Sequence, residues 1–137
     1  MVLASAPDCR LQPVQLQKTV FLLDRLGLPQ ADNQLTYNFE PYHYGPFDRQ
    51  VYADLNSATD DGLVERIQSD AYPGHDFLLT PSGIERAEAA LNSLPTEQRE
   101  MLREVVRWVT SMSFRELLGA IYKRFPQFRE NSIFYSE

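Results

Sequence analysis

The sequence predicts an α+β fold that is mostly helical, with a winged-helix-like core, a small β-hairpin and additional C-terminal helices. Apolar residues recur at the three- and four-residue spacing of helices in five segments separated by proline and glycine. Two short apolar runs also flank a Pro-Gly turn directly after one of these helices, and a helix followed at once by a hairpin is typical of a winged helix. The length of 137 residues suits one domain. We divide it into a flexible start (1–12), a winged-helix-like half (13–94) and a C-terminal helical half (95–137).

The first helix is predicted over residues 14–26, where apolar side chains share one face. Pro13 suits its first turn and Gly27 suits a left-handed C-cap. Alternating apolar residues at 35–39 then predict a brief strand. Residues 40–47, which are rich in proline, glycine and aromatic rings, predict an ordered aromatic loop.

Asp48 is predicted to cap a second helix that runs to Gly62. Residues 63–67 and 77–80 are the apolar runs of the predicted hairpin. A third helix is expected to start at Thr80-Pro81 or at a capping box from Ser82 to Glu85, and to end near residue 91.

The last two helices are predicted to begin at Pro95-Thr96 and at a capping box from Ser113 to Glu116. Residues after Pro126 are expected to be irregular. The aromatic side chains of this tail are expected to fold back on the domain, the alternative being that they dock elsewhere: Phe125, Phe128, Phe134 and Tyr135. On the fourth helix, the arginines and the glutamates between them predict a solvated face with salt bridges: Arg99, Arg103 and Arg107 with Glu97, Glu100 and Glu104. The apolar stripe of the same helix is predicted to be Met101, Leu102, Val105, Val106 and Val109.

Composition excludes several classes of protein. A 43% share of apolar residues with 23% charged residues excludes general disorder, and no apolar run is long enough to span a bilayer. The first residues lack the basic and apolar segments of a signal peptide, and the single cysteine, Cys9, cannot form an internal disulfide. We therefore expect a cytoplasmic protein.

The distribution of charge argues against nucleic acid as the partner. The net charge is −6, but residues 1–94 carry 6 basic and 13 acidic side chains, whereas residues 95–137 carry 7 and 6. The predicted second helix and the residues just before it (45–61) hold one basic and four acidic side chains. Because Lys and Arg supply the affinity for phosphate backbones, we expect this acidic half to be an ordinary solvated face, or else a surface that binds protein or mimics DNA.

The candidate partner-binding site is a group of aromatic and basic side chains around a Gly-Pro bend, where Gly45 and Pro46 would hold the rings in one arrangement. Tyrosine and arginine are enriched at binding hot spots, although the same rings could line the core. The site comprises Tyr42, His43, Tyr44, Phe47, Arg49 and Tyr52.

No motif of a nucleotide-binding, hydrolase or zinc-protease site occurs in the chain. His43 and His75 do not have the spacing of metal ligands. Cys9 and His43 lack a third residue that would orient them as a nucleophile and base. We therefore predict no catalytic residues, no metal, no cofactor and no enzymatic activity.

Five segments of the sequence together carry a resemblance to a known family: residues 17–24, 42–47, 51–55, 61–64, and 125–128 with Asn131-Ser132. The most specific piece is the YGPF sequence that leads into a helix. These segments resemble the SocA-like, or Panacea, antitoxin-domain proteins, and the resemblance covers most of the chain from about residue 16 to 134. The resemblance implies a small, mostly helical domain that neutralises toxins or, in one branch of the family, delivers its toxin to a protease as an adaptor.

Two other functions stay open on the sequence alone. A winged-helix transcription regulator would read DNA through Arg49, Gln50 and Asn56. A small hydrolase would use His43 or Cys9. For a protein-binding module, the expected partner is a toxin or a protease, and a second copy of the chain is a further candidate.

Overall fold

The computed structural model describes residues 1–27, 38–42 and 45–129. Of these residues, 62% are helical, and with two small antiparallel sheets they confirm the mostly helical α+β fold. No helix among them has the length and apolar character needed to cross a bilayer. The helices are α1 (Pro13–Arg25), α2 (Arg49–Asp60), α3 (Pro81–Asn92), α4 (Thr96–Thr110) and α5 (Phe114–Arg124). The strands are β1 (Arg10–Leu11), β2 (Glu40–Tyr42), β3 (Gly45–Phe47), β4 (Val64–Gln68) and β5 (His75–Leu79).

The larger sheet has the strand order β1-β5-β4. Its β4–β5 hairpin pairs Val64 with Leu79 and follows α2 directly, as the sequence predicts. Strand β1 adds to the free side of β5, with Arg10 opposite Leu78. Arg10 also donates from Nε to Oδ2 of the buried Asp76 at 2.7 Å, which fastens β1 to the hairpin.

The smaller sheet corrects one prediction. Residues 40–47 were expected to form a loop, but β2 and β3 pair as an antiparallel hairpin in which Tyr42 lies opposite Gly45 and Glu40 opposite Phe47. The proline and aromatic content concealed strands of only three residues each. Residues 35–37 of the predicted preceding strand lie outside the described residues, and Phe39 is buried without strand pairing.

The start of the chain also differs from the expectation of a flexible segment over residues 1–12. Leu3, Ala6 and Leu11 are buried against the same core as α1 and α4. Two three-ten turns and the two-residue strand β1 make this packing. Segments this short have no periodicity for a sequence pattern to reveal.

The helix caps show which start signals the fold uses. Asp48 caps α2 by accepting from the Gln50 amide, and Ser113 forms the predicted capping box with Glu116 on α5. For α3 the cap is Thr80, which accepts from the Gly83 amide. The alternative capping box at Ser82 is therefore wrong, because the helix has already begun at Pro81.

Two apolar clusters form the core and share α1 and α4. Leu16 of α1 and Val106 of α4 lie in one cluster, whereas Phe21 of α1 and Val109 of α4 lie in the other. Met101, which the sequence placed in the apolar stripe of α4, is 40% exposed. The described ion pairs lie at Arg10, so the salt-bridged face predicted for α4 does not occur among the described residues.

The aromatic residues after α5 fold back on the domain, as predicted, as far as they are described. The rings of Phe125 and Phe128 meet the ring of Phe21 at centroid distances of 5.0 and 4.9 Å in edge-to-face contacts. A three-ten turn (Pro126–Arg129) brings Phe128 into this position. Phe134 and Tyr135 lie outside the described residues.

Candidate functional site

Three aromatic rings lie side by side at the surface where the β2–β3 hairpin joins α2. The ring of Tyr42 stacks on that of Phe47 with a centroid distance of 5.0 Å, and Phe47 meets Tyr52 at 5.6 Å. Tyr42 is 49% exposed, whereas Phe47 and Tyr52 are half-buried. We call these three residues the aromatic strip. The strip is therefore most exposed at Tyr42 and partly covered at the other two rings.

The hairpin under the aromatic strip is held by polar side chains of α1 that are almost fully buried. The amide of Gln17 donates to the Asp48 carbonyl at 2.8 Å and accepts from the Asp48 N–H at 3.2 Å. Nζ of Lys18 donates to the Pro46 carbonyl at 2.9 Å. Because Gln17 and Lys18 are only 1% and 2% exposed, these bonds form away from water and fix the path of the backbone from β3 into α2.

Burial changes the protonation of Lys18. Removal from water disfavours the charged ammonium, which lowers the pKa of Lys18 from 10.5 to about 7. The amine therefore gains or loses its charge near neutral pH, at a position within hydrogen-bond distance of the Pro46 carbonyl. It is inside the fold, so it anchors the site and does not line its surface.

Gly45 allows the close approach between the hairpin and the core. Its φ of +92° is a conformation that residues with a Cβ atom resist. A Cβ here would also lie 3.2 Å from Cδ2 of Leu118 and 3.5 Å from the ring of Tyr122. The glycine that the sequence placed at the bend is thus required by both its backbone and its neighbours.

Tyr52 forms the inner end of the aromatic strip. Burial raises the pKa of its hydroxyl to about 12, with a smaller contribution from nearby Tyr72 and an opposing one from a hydrogen bond with Gln17. The hydroxyl is neutral at physiological pH. Tyr52 therefore offers an apolar ring and a neutral hydroxyl.

The exposed face of α2 beyond the strip is mostly polar and is partly paired within the chain. Arg49, at the first position of α2, is exposed, but Gln50 donates to Oδ1 of Asp54 at 2.8 Å. Asn56 accepts a hydrogen bond from the Arg66 guanidinium of the neighbouring hairpin. Two of the three side chains that a DNA-reading helix would use are therefore bonded within the chain.

The structure brings three of the six candidate partner-binding residues together, Tyr42, Phe47 and Tyr52. Arg49 is exposed at the start of α2. His43 and Tyr44 lie outside the described residues, so the proposed pair of His43 with Cys9 is not placed. His75 is exposed on β5, and no group of three His, Cys, Asp or Glu side chains within residues 1–27, 38–42 and 45–129 could hold a metal ion.

Gln17 and Lys18 belong to the site, although the sequence did not single them out as functional. One signal was available, because Gln17 precedes Phe21 by four residues and so lies on the apolar face of α1. A polar side chain on such a face is buried and needs partners. Its hydrogen bonds go to the backbone of Asp48, 31 residues further along the chain, and a local sequence pattern does not predict a contact at that separation.

No protein-family model matches the chain, and no curated protein or solved structure matches it either.

Proposed function

We propose that the protein is a non-enzymatic protein-binding module, antitoxin-like or adaptor-like, that neutralises or delivers a partner protein in the cytoplasm. The observation that carries the proposal is the aromatic strip, in which two rings of the β2–β3 hairpin adjoin one ring of α2 and the hairpin is anchored from inside the fold. Binding energy concentrates in such aromatic residues, because they bury a large area at a small cost in side-chain entropy. The sequence resemblance to SocA-like antitoxin domains supports the same function.

The rigidity of the support favours a binding role for these rings. Gln17 makes two hydrogen bonds to Asp48, and Lys18 makes one to Pro46, so the hairpin needs little reordering when a partner arrives. A surface that is already ordered loses less entropy on association than a mobile loop. We therefore assign Tyr42 and Phe47 as the main anchors, with Arg49 and Tyr52 beside them.

A winged-helix regulator of transcription is the alternative function. Its support is the order of elements, in which α2 leads into the β4–β5 hairpin. Against it stand the internal hydrogen bonds of Gln50 and Asn56, and the exposed Asp60 and Asp61 at the end of α2. Carboxylates in that position would repel a phosphate backbone.

The test is whether the chain suppresses the toxicity of the product of the gene next to its own. Co-expression of the full chain should restore growth and retain the toxin on the purified protein. The double variant Tyr42→Ala with Phe47→Ala should weaken retention by about a thousandfold, since loss of a hot-spot side chain costs about 2 kcal/mol and about 1.4 kcal/mol corresponds to a factor of ten.

The matched control changes two other exposed apolar side chains, Leu26→Ala with Met101→Ala, which are 55% and 40% exposed and lie outside the aromatic strip. It should retain the partner as the unchanged chain does. Equal loss in both double variants, or no protection from any neighbouring gene product, would count against the proposal. Binding to the chain's own promoter that weakens steeply with salt would favour the regulator instead.

A further inference from the structure

A second surface feature lies where the N-terminal segment crosses α4. A groove of about 320 Å³ opens there. Arg103, Arg107 and Thr110 line one wall, and they recur at four and three residues along one face of α4. The opposite wall consists of small residues of the N-terminal segment: Ala4, Ser5, Ala6 and Pro7.

The two arginines of this groove are exposed and have no carboxylate within ion-pair distance among the described residues. Among the described residues, no acidic side chain lines the groove, although Glu100 and Glu104 lie on the same helix. The hydroxyls of Ser5 and Thr110 donate to backbone oxygens of Met1 and Val106, so the guanidinium groups are the free donors. The groove thus presents two positive charges in a chain whose net charge is −6.

We propose that this groove binds the carboxylates of an acidic peptide segment in a partner protein. A guanidinium matches a carboxylate with two parallel hydrogen bonds, and two arginines one turn apart can hold two carboxylates of an extended segment. The small side chains of the opposite wall leave room for the backbone of that segment. The surface is separate from the aromatic strip in residues and elements, so this inference does not depend on the proposed function.

The charge of the whole molecule favours a peptide over nucleic acid in the groove. A nucleic acid would have to approach a chain with 19 acidic and 13 basic side chains, and its phosphates extend far beyond two arginines. A short acidic segment places its charges only where the arginines are. The groove therefore fits a local acidic sequence.

The experiment uses the full chain and a fluorescent hexaglutamate peptide, with binding measured by anisotropy at low and at physiological salt. The unchanged chain should bind, and Arg103→Glu with Arg107→Glu should weaken binding by at least about tenfold. Arg103→Lys with Arg107→Lys keeps the charge but loses the planar fork, and it should show a smaller loss. Circular dichroism confirms that each variant is folded.

The control variant, Arg86→Glu with Lys123→Glu, changes the net charge by the same amount at exposed positions away from the groove. It should bind the peptide nearly as the unchanged chain does. Equal loss in this control would show general attraction between charges and overturn the proposal. No binding by the unchanged chain, tighter binding of a short DNA duplex, or a dimer that only the groove variant disrupts would also overturn it.

Discussion

At the scale of single residues, Lys18 places an amine where the fold leaves almost no water. It is 2% exposed, and its Nζ atom donates to the Pro46 carbonyl. Burial lowers its pKa to about 7, whereas the amine of the unfolded chain titrates near 10.5. The unfolded chain therefore binds more protons than the folded chain between these two values, and the free energy of unfolding must rise with pH across that range.

We predict that the free energy of unfolding increases from pH 7 to pH 9 by at most about 1.4 kcal/mol per pH unit through this one group. Below pH 7 the amine is protonated in both states, so the contribution stops changing there. Lys18→Met removes the amine and should flatten the curve. The measurement is urea unfolding at several pH values.

Lys123→Met is the matched control, because Lys123 is exposed on α5. That variant should keep the slope of the unchanged chain. If Lys18→Met and the unchanged chain rise equally with pH, then Lys18 is not the group responsible. Lys18→Met also loses the bond to Pro46, so its absolute stability can change. The test therefore compares how steeply the free energy of unfolding rises with pH in each variant.

At the scale of elements, the start of α3 is packed against the start of the β4–β5 hairpin. The Thr80 amide donates to the Leu63 carbonyl at 3.0 Å, and the Thr80 hydroxyl donates to the Gly62 carbonyl at 2.7 Å. A Cβ atom on Gly83 would lie 2.0 Å from the Leu63 oxygen. The missing side chain therefore sets how closely helix and hairpin approach.

We predict that Gly83→Ala destabilises the protein by about 1–3 kcal/mol or more, although alanine is the better helix former. The contact is with backbone, which cannot rotate away as a side chain can. Thermal and urea unfolding measure the loss. Ser82→Ala, an exposed neighbour in the same turn, should change stability by no more than about 0.5 kcal/mol. A neutral Gly83→Ala would mean that α3 and the hairpin are not packed this closely.

The elements also show what the sequence could and could not reveal. The five helices were predictable because each repeats apolar residues over three or more turns, and β4–β5 because its two runs flank a turn. The β2–β3 hairpin was not, since three residues give no alternation to detect. Both Thr80 and Ser82 satisfy the rule for a helix cap, and only the packing of Gly83 on Leu63 shows why the helix begins at the first of them.

The candidate site was also predictable from the sequence only in part. Its rings stood out because aromatic residues crowd a Gly-Pro bend, and Tyr42, Phe47 and Tyr52 do lie together. The residues that support these rings were not predictable from the sequence. Gln17 and Lys18 bond to residues that lie 31 and 28 positions further along the chain. Local patterns identify the surface, whereas contacts distant in sequence hold it in place.

At the scale of the whole molecule, the two apolar clusters join the halves that the charge distribution separates. Val2, Leu55 and Val105 pack against both clusters. Phe21 of α1 is fully buried and meets Phe125 and Phe128, which follow α5. The acidic and the more basic halves therefore differ in surface charge but depend on the same core.

We predict that the full chain unfolds in a single transition and that a fragment of residues 1–94 does not fold. Removing residues 95–137 would expose one side of α1, including Phe21, and would delete every α4 and α5 member of both clusters. Burial of one such large side chain stabilises a protein by about 1.5–3 kcal/mol, and several are lost at once, against a total stability of about 5–15 kcal/mol.

Two probes follow the urea unfolding of the full chain. The fluorescence of Trp108, the single tryptophan, follows α4, and far-ultraviolet circular dichroism follows all helices. Their midpoints should coincide, as a two-state transition requires. Separate midpoints, or a cooperative transition in the 1–94 fragment, would contradict this prediction and would show that residues 1–94 are stable alone. If the midpoints coincide, the aromatic strip and the groove lined by Arg103 and Arg107 unfold together. A partner that binds the aromatic strip would then also stabilise that groove.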